Sequence, residues 1–213
     1  MISVWQKNGR DRNVRLTKVA ETAIISESSD LGDGVQVWHF AQLRENVSIG
    51  NSTIIGKNVY IGPGVTIGSN CKIQNDAKIY ETARVENGVF IGPGVTFTND
   101  RVPRAVNPDL TLKIATDWQV VGVHVSEGAS IGAGSICIAP IKIGKWSMVG
   151  AGSVVTQDVP DYALVLGNPA RQIGWVGKSG KRLRPINDNL YSCPDSHSTY
   201  TLIGRELIEN SLK

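Results

Sequence analysis

Three polar residues follow one another at a constant spacing of eighteen. His39, Lys57 and Asn75 form this series, and Asp76 lies directly after its last member. Imidazole and carboxylate groups can take or guide a proton, and an amide can hold a polar group of a substrate. If the chain coils back on itself every eighteen residues, these side chains lie along one edge of the molecule. A histidine at such an edge is more often structural than catalytic, and that alternative stays open for His39.

A six-residue repeat predicts that coil. From Val19 to Thr96 the chain divides into thirteen consecutive hexads, with a large aliphatic residue at the first position and a small residue at the fifth. A period of six does not fit an amphipathic helix. With a rise of about 3.3 Å per residue, each hexad makes one flat side of a triangular coil of eighteen residues. Gly, Asn and Asp between the apolar positions suit the corners. The repeat therefore predicts an all-β prism of stacked parallel strands.

The repeat is interrupted once. Its frame breaks after Phe97 and resumes at Val125, 28 residues later, which is not a multiple of six. Long insertions in a regular solenoid lie on the surface and are often functional. We therefore expect an N-terminal arm or cap at 1–18, a prism at 19–163 with a loop insertion at 98–124, and a C-terminal extension at 164–213. In the extension, a short helix is predicted after the alternating residues Tyr200 and Leu202.

Composition excludes several classes of protein. The chain has 213 residues and a net charge of +3, with Lys and Arg concentrated at both ends. It has no apolar run long enough to span a membrane and no visible secretory signal. Cys71, Cys137 and Cys193 lack metal or disulfide spacing, which indicates a reducing cytoplasm, and Cys71 is expected to fill space in the core. No basic run with interleaved aromatic residues indicates a nucleic-acid partner.

The segment VGAGSVVTQDVPDYALVLGNPAR, residues 149–171, resembles the last coil and exit of acetyl-coenzyme A-dependent hexapeptide-repeat acyltransferases. That resemblance implies a left-handed parallel β-helix and acetyl-CoA as co-substrate, with no metal. It also implies that small residues let the pantetheine arm lie against the backbone. Lys178, Lys181 or Arg182 would supply charge for the 3′-phosphate, with a solvated tail as the alternative. The predicted cofactor residues are Gly132, Gly150, Ala151, Gly152, Pro169, Ala170 and Arg171.

Three further motifs resemble the bacterial enzymes that N-acetylate the 3-amino group of nucleotide-linked (UDP or dTDP) sugars for O-antigen and related glycans. They are Val37-Trp38-His39-Phe40, Lys72-Ile73-Gln74-Asn75-Asp76 and the segment from Phe97 to Arg104. The resemblance implies a homotrimer with active sites between neighbouring prisms. It implies catalytic or positioning roles for Asn75, Asp76 and His39. The predicted substrate-binding residues are Asn99, Asp100, Arg101, Arg104 and Tyr80. The chain departs from the family pattern at Asp76 and at Gly132-Ala133-Gly134.

Other functions remain as alternatives. Acetyl transfer to a sugar or serine-like hydroxyl needs a base, for which His39 with Asp76 is a candidate pair and His124 a further candidate participant. A non-enzymatic β-helix scaffold is the other alternative. A zinc-dependent activity needs three converging histidines. The chain has only three histidines, one of them His197 in the tail, so this activity is rejected.

Overall fold

Short parallel strands wind into a triangular coil. The computed structural model describes residues 2–4 and 16–210. Within the regular part of the coil, each strand pairs in parallel with the strand eighteen residues later, as Ile55 does with Ile73. The result is an all-β solenoid of stacked coils, consistent with a left-handed β-helix, and the predicted fold class is confirmed. No helix in the described residues is long and apolar enough to cross a membrane.

The prism has three faces. Face one consists of Lys18–Ala20, Gln36–Val37, Ile54–Ile55, Lys72–Ile73, Phe90–Ile91, Ser130–Ile131, Met148–Val149 and Ala163–Gly167. Face two consists of Ile24–Ile25, Gln42–Leu43, Tyr60–Ile61, Lys78–Ile79, Thr96–Phe97, Ile136–Cys137 and Val154–Val155. Face three consists of Asp30–Leu31, Ser48–Ile49, Thr66–Ile67, Arg84–Val85, Val123–Val125 and Ile141–Ile143. The first corner leads from face one to face two, the second from face two to face three, and the third back to face one.

The aliphatic first positions of the hexads fill the prism. Ile55, Ile61, Ile73, Ile79 and Ile91 are completely buried, and burial of each such side chain contributes about 1.5–3 kcal/mol. The small fifth positions are also inside. Cys71 is buried there as predicted, and burial raises the pKa of the Cys137 thiol to about 12. Ile25 and Leu31 are only partly buried because no complete coil precedes theirs.

The interruption of the repeat is an insertion at the second corner. Val85 pairs with Val125, forty residues later instead of eighteen, so twenty-two residues are inserted into this coil. They leave face two after Phe97 and return at the strand Val123–Val125. A short 3-10 helix, Ala115–Asp117, is the helical element of this loop. The backbone N–H of Asn107 donates to the Thr111 carbonyl, so the loop has hydrogen bonds of its own.

At each end of the prism, an antiparallel strand pairs with the outermost strand of face one. Ile2–Val4 pairs antiparallel with Lys18–Ala20, so the free edge of face one is covered. The rest of the predicted basic arm, with Lys7, Arg10, Arg12 and Arg15, lies outside the described residues. At the other end, Ala163–Gly167 continues face one and turns back as Ala170–Trp175.

The chain ends in a small antiparallel sheet. Its strands are Arg184–Pro185, Leu190–Ser192, Thr199–Ile203 and Glu206–Glu209. Leu183, Cys193, Tyr200 and Leu207 form its core. The short helix predicted after Leu202 is wrong, because Leu207 points into this core between the exposed side chains of Glu206 and Ile208. That alternation has the period of a strand.

Candidate functional site

The first corner carries all three predicted catalytic residues. His39 follows the strand Gln36–Val37, and Asn75 and Asp76 follow Lys72–Ile73. Successive coils of a sheet are about 4.8 Å apart, so His39 lies two coils, or about 10 Å, from Asn75. The structure therefore places the three residues on one edge. Only Asn75 and Asp76 are neighbours.

The Asn75 side chain is held by the coil before it. Its Oδ1 accepts a hydrogen bond of 2.9 Å from the backbone N–H of Lys57. Asn51 and Asn87 make the same contact at the third corner, with the N–H groups of Asp33 and Ser69. The oxygen of Asn75 thus has a structural partner. Its amide NH₂ group has no such bond to the preceding coil, and this is the part that can face a substrate.

Asp76 occupies a corner position with a left-handed backbone. Its φ is +64°, and Asn58, one coil earlier in the same column, has a φ of +57°. Asn58 Nδ2 donates to Asp76 Oδ1 at 3.0 Å. Asp and Asn tolerate this conformation better than most residues. The carboxylate is therefore oriented by one hydrogen bond and keeps acceptor capacity for a cationic or hydrogen-bonding group of a ligand.

His39 is bonded to the coil on its other side. Its Nδ1 lies 2.9 Å from Thr22 Oγ1, and the same hydroxyl accepts the backbone N–H of Phe40. Within one chain, His39 is two coils from Asp76 and cannot form a hydrogen-bonded pair with it. The His39–Asp76 pair considered for hydroxyl chemistry is therefore not assembled inside a single subunit.

The first corner also carries most of the predicted cofactor residues. Residues 132–134 and 150–152 follow its edge beyond Asn75, and we call these two segments the small-residue groove. Ala151 lies three coils, about 14 Å, from Asn75. A Cβ on Gly132 would lie 2.5 Å from the backbone N of Ala151, and one on Gly150 would lie 2.8 Å from Leu166 Cβ.

These glycines thus have a packing reason as well as the predicted binding role. Gly132 and Gly150 let one coil stack closely on the next. Gly152 is different: its φ is +69°, and a Cβ there would meet nothing within 4 Å. The groove therefore presents open backbone at Gly152, as a closely approaching ligand requires.

The exit hairpin brings the remaining predicted cofactor residues to the end of the same corner. Pro169 lies in its turn after a cis peptide bond, and Ala170 and Arg171 begin the return strand. Ala170 and Arg171 line a cleft of about 440 Å³. Its other wall includes Leu202 and Arg205 from the appended sheet. The sequence contains no signal for that wall, because the appended sheet reaches the cleft only through tertiary packing.

The three cations proposed for a phosphate have partners in the protein. Lys178 pairs with Glu209, and its Nζ lies 5.7 Å from the centre of the Trp146 ring. Arg182 donates to the Ile173 carbonyl at 2.7 Å. The weakest attachment is that of Lys181, whose Nζ lies 3.9 Å from Asp195. Lys181 is therefore the one most available for a ligand.

The predicted substrate-binding residues lie on the opposite edge of face two. Tyr80 is at the second corner, with its ring 5.3 Å from that of Tyr60. The other four lie at the start of the inserted loop. The Asp100 side chain accepts the Val102 N–H, and the Asn99 carbonyl accepts the Val121 N–H. The Arg104 side chain donates to the Pro103 carbonyl. Arg101 is exposed. Within one chain they do not meet Asn75 and Asp76.

His124 lies on face three, and its side chain bonds to Glu86 at the third corner. Its Nε2 is 2.9 Å from Glu86 Oε1, and the other carboxylate oxygen accepts the Glu127 N–H. Partial burial favours a higher pKa for Glu86. The two hydrogen bonds and nearby Lys145 outweigh it and hold that pKa below its ordinary value. His124 thus stabilises a corner and is remote from Asn75. In the described part of the chain, no three His, Cys, Asp or Glu side chains form a metal-binding group.

Comparisons with known proteins match the repeat. The family model of the bacterial transferase hexapeptide (six repeats) matches residues 28–63, 46–81 and 64–99. That of the hexapeptide repeat of succinyl-transferase matches 120–157. A maltose O-acetyltransferase from Clostridium difficile 630 has the same fold, with a TM-score of 0.52 and 24% identity, over 61% of this chain and 70% of that one.

Two curated relatives match shorter segments. The dTDP-3-amino-3,6-dideoxy-alpha-D-galactopyranose 3-N-acetyltransferase of Aneurinibacillus thermoaerophilus is 55% identical over 69 residues, which are 32% of this chain and 35% of that protein. The bifunctional protein GlmU of Thermotoga maritima is 52% identical over 60 residues, 27% of this chain and 13% of that protein. The matched part thus spans about a third of the first relative and less of the second.

Proposed function

Because this chain is a hexapeptide-repeat protein, we propose that it transfers the acetyl group of acetyl-CoA to the 3-amino group of a nucleotide-linked (UDP or dTDP) sugar. The observation that carries the proposal is the 55% identity over 69 residues to a dTDP-3-amino-sugar 3-N-acetyltransferase. The first corner adds geometric support, because one edge holds both the Asn75–Asp76 pair and the small-residue groove.

The proposed reaction is attack of a neutral amine on a thioester. The sugar nitrogen forms a bond to the acetyl carbon, the C–S bond breaks, and the proton lost by nitrogen goes to the coenzyme A thiolate. Asn75 Oδ1 has acceptor capacity left beside the Lys57 N–H and holds an N–H of the amine, which leaves the nitrogen lone pair free to attack. Asp76 guides the proton. His39, about 10 Å from Asn75, positions the substrate or acts through a bridging group. Positioning of the two reactants supplies much of the rate enhancement.

Coenzyme A fits the other end of the same edge. Its extended arm lies along the small-residue groove, where Gly132, Gly150, Ala151 and Gly152 leave room beside the backbone. The nucleotide end reaches the exit hairpin, with Pro169, Ala170 and Arg171. This places the thioester toward Asn75. No metal takes part in the proposed step.

We further propose a homotrimer with its active sites between subunits. The two predicted groups lie on opposite edges of face two, so one chain alone does not assemble them. Side-by-side packing would set the first corner of one prism against the second corner of its neighbour. Asn99, Asp100, Arg101, Arg104 and Tyr80 would then face the neighbour's Asn75. The exposed side chains of Leu110, Leu112 and Ile114 in the loop support such a contact, since apolar surface of this kind favours association.

The reaction class suggests a cellular role. An N-acetylated nucleotide sugar is a precursor for glycan assembly, so we propose a role in O-antigen or related surface polysaccharide synthesis, in the cytoplasm.

The direct test of the reaction uses the purified protein, acetyl-CoA and a panel of UDP- and dTDP-3-amino sugars, with thiol release as the readout. Release that depends on one of these amines is expected. Release only with hydroxyl acceptors would move the assignment to O-acetylation.

Two further measurements separate the alternatives. Calorimetry with coenzyme A distinguishes an enzyme from a scaffold, because absence of binding would favour the scaffold. Light scattering at micromolar concentration tests the assembly, for which a trimer is expected and a monomer would exclude a site between subunits.

The double variant Leu110→Ser, Leu112→Ser is expected to weaken the trimer. Ile208→Ser, which also removes an exposed apolar side chain but lies in the appended sheet, should leave it intact.

A further inference from the structure

The coil that precedes Asn75 by two turns carries aromatic residues where its neighbours carry none. Along the first corner, the position of Phe40 is occupied in later coils by Asn58, Asp76, Gly94 and Gly134. The backbone there is left-handed, with a φ of +59° at Phe40. Gly, Asn and Asp adopt this conformation readily, and an aromatic residue rarely does. The corner geometry therefore gives no reason for a phenylalanine.

Burial gives no reason either. Phe40 is 59% exposed and Trp38, two residues earlier, is 48% exposed. In the column of Trp38 the corresponding residues of later coils include Gly56, Gln74 and Gly92. Large aromatic side chains that are exposed, or that occupy a strained backbone conformation, are typical of binding surfaces. His39 lies between them, with its ring centre 6.2 Å from that of Phe40.

A cation lies one coil further toward Asn75. Lys57 extends its Nζ to 5.9 Å from the centre of the Phe40 ring, which holds the ammonium group near the aromatic surface. Within residues 16–210, the Lys57 ammonium has no carboxylate partner in an ion pair. It is thus positioned at the corner and available to an anion.

The order along the edge matches the order of groups in one class of molecule. Starting from the first coils, the corner presents an aromatic surface at Trp38 and Phe40, a cation at Lys57, and the polar pair Asn75–Asp76. These steps are about 4.8 Å each. A nucleoside diphosphate sugar has its groups in the same order: a flat base on a ribose, then two anionic phosphates, then the sugar. Asp76 supplies a hydrogen-bond acceptor at the end of the edge where the 3-amino group of the sugar would lie.

We propose that Trp38 and Phe40 form a stacking subsite for the nucleobase and that Lys57 contacts the diphosphate. This inference rests on the proposed function, since it identifies where that function's nucleotide sugar binds. Aromatic stacking accepts any base face. The aromatic pair therefore supplies affinity for the nucleotide, while the choice between uracil and thymine needs additional contacts. The nucleotide sugar and coenzyme A then approach Asn75 from opposite ends of one edge.

Calorimetry with UDP, dTDP and inorganic pyrophosphate tests the subsite without the sugar. The variant Phe40→Asn places at this position a residue that the same column already holds at Asn58, so the fold is preserved. Its affinity for UDP or dTDP should fall at least tenfold, or 1.4 kcal/mol, while its pyrophosphate affinity stays unchanged. Lys57→Gln should weaken both the nucleotides and pyrophosphate. Phe90→Leu, which removes an exposed ring from face one, should change neither.

The same set of titrations distinguishes the inference from the proposed function. Coenzyme A affinity should be equal in all variants, which shows that the groove is intact. If Phe40→Asn binds UDP and dTDP as the unmodified protein does, the stacking subsite is wrong, even when acetyl transfer to an amino sugar is observed. A change only in oligomeric state would likewise overturn it, because the aromatic residues would then serve a subunit contact. Failure of acetyl transfer with intact, Phe40-dependent nucleotide binding would overturn the proposed function alone.

Discussion

The side-chain oxygen of Asn75 accepts a hydrogen bond from the backbone N–H of Lys57, one coil earlier and 2.9 Å away. The bond satisfies a corner N–H that the strand ladder leaves without a partner of its own. Asn51 and Asn87 do the same at another corner, for Asp33 and Ser69. An asparagine in this corner position therefore has a structural function in all three coils, and a binding role for Asn75 must be separated from it by experiment.

Comparing Asn75→Ala with Asn87→Ala separates a binding role of Asn75 from its structural role. Both variants lose one exposed hydrogen bond of the same type, so each should lower the free energy of unfolding by about 0.5–1.5 kcal/mol. Only Asn75→Ala should also reduce turnover, at least tenfold, which corresponds to about 1.4 kcal/mol in the activation barrier. Denaturant titration and thiol release measure the two effects. Equal turnover in both variants would leave Asn75 with the structural role alone.

Asp76→Asn removes the negative charge and little else. Asparagine tolerates the left-handed backbone at this position, and its side-chain oxygen can still accept the bond from Asn58 Nδ2. The free energy of unfolding should therefore change by less than about 0.5 kcal/mol. Turnover with a 3-amino sugar should fall at least tenfold, about 1.4 kcal/mol in the barrier. A variant with full activity would show that the carboxylate neither attracts the amine nor guides its proton.

Gly132→Ala should destabilise the prism by about 1–3 kcal/mol. The added Cβ would lie 2.5 Å from the backbone N of Ala151 and 2.7 Å from its Cα, and neither atom can move without displacing a coil. Gly134→Asn is the matched control. Gly134 has a φ of +67° with nothing within 4 Å of a Cβ, and asparagine accepts that backbone. Thermal unfolding of both proteins checks the prediction, and a Gly132→Ala midpoint equal to that of the control contradicts it.

Glu86 should make stability depend on pH in the acid range. Its folded-state pKa is held below the ordinary value of 4.5, despite partial burial, by the Glu127 N–H, His124 and Lys145. The stabilisation it contributes is therefore complete above pH 4.5 and is lost as the pH falls through the lower folded-state value. Glu86→Gln should show a weaker decrease in melting temperature below that pH than the unmodified protein. Parallel curves for the two proteins would mean that the carboxylate has no net effect.

Much of the fold could be predicted from the hexads, because their aliphatic side chains are removed from water only if they face the interior of the prism. A residue such as Ile73 is aliphatic at a fixed register, and removing it from water determines which side of each strand faces inward. The tail has no such repeat. Its local pattern after Leu202 was compatible with a helix, and only the packing of Leu207 against Tyr200 and Cys193 selects a strand.

The candidate site could be predicted only in part, for a related reason. A spacing of eighteen predicts that His39 and Asn75 share an edge, and they do. The spacing of 36 residues also predicts that two coils separate them, which excludes a direct contact between them within one chain. The residues at the start of the inserted loop were predicted to bind substrate with Asn75, yet the insertion occurs at the second corner and Asn75 is at the first. Whether they meet depends on how subunits assemble, and no property of a single chain determines that.

The amino-acid sequence by itself determined the period, the inward-facing residues and the location of the break, because these follow from local geometry and from burial of apolar side chains. Tertiary structure decided where the residues outside the six-residue frame lie, such as those of the inserted loop. It set the contacts of Asn75 with Lys57, of His39 with Thr22 and of Glu86 with His124. It also decided that the exit hairpin and the appended sheet enclose a cleft. Those outcomes depend on how coils distant in sequence stack, and no local pattern encodes that.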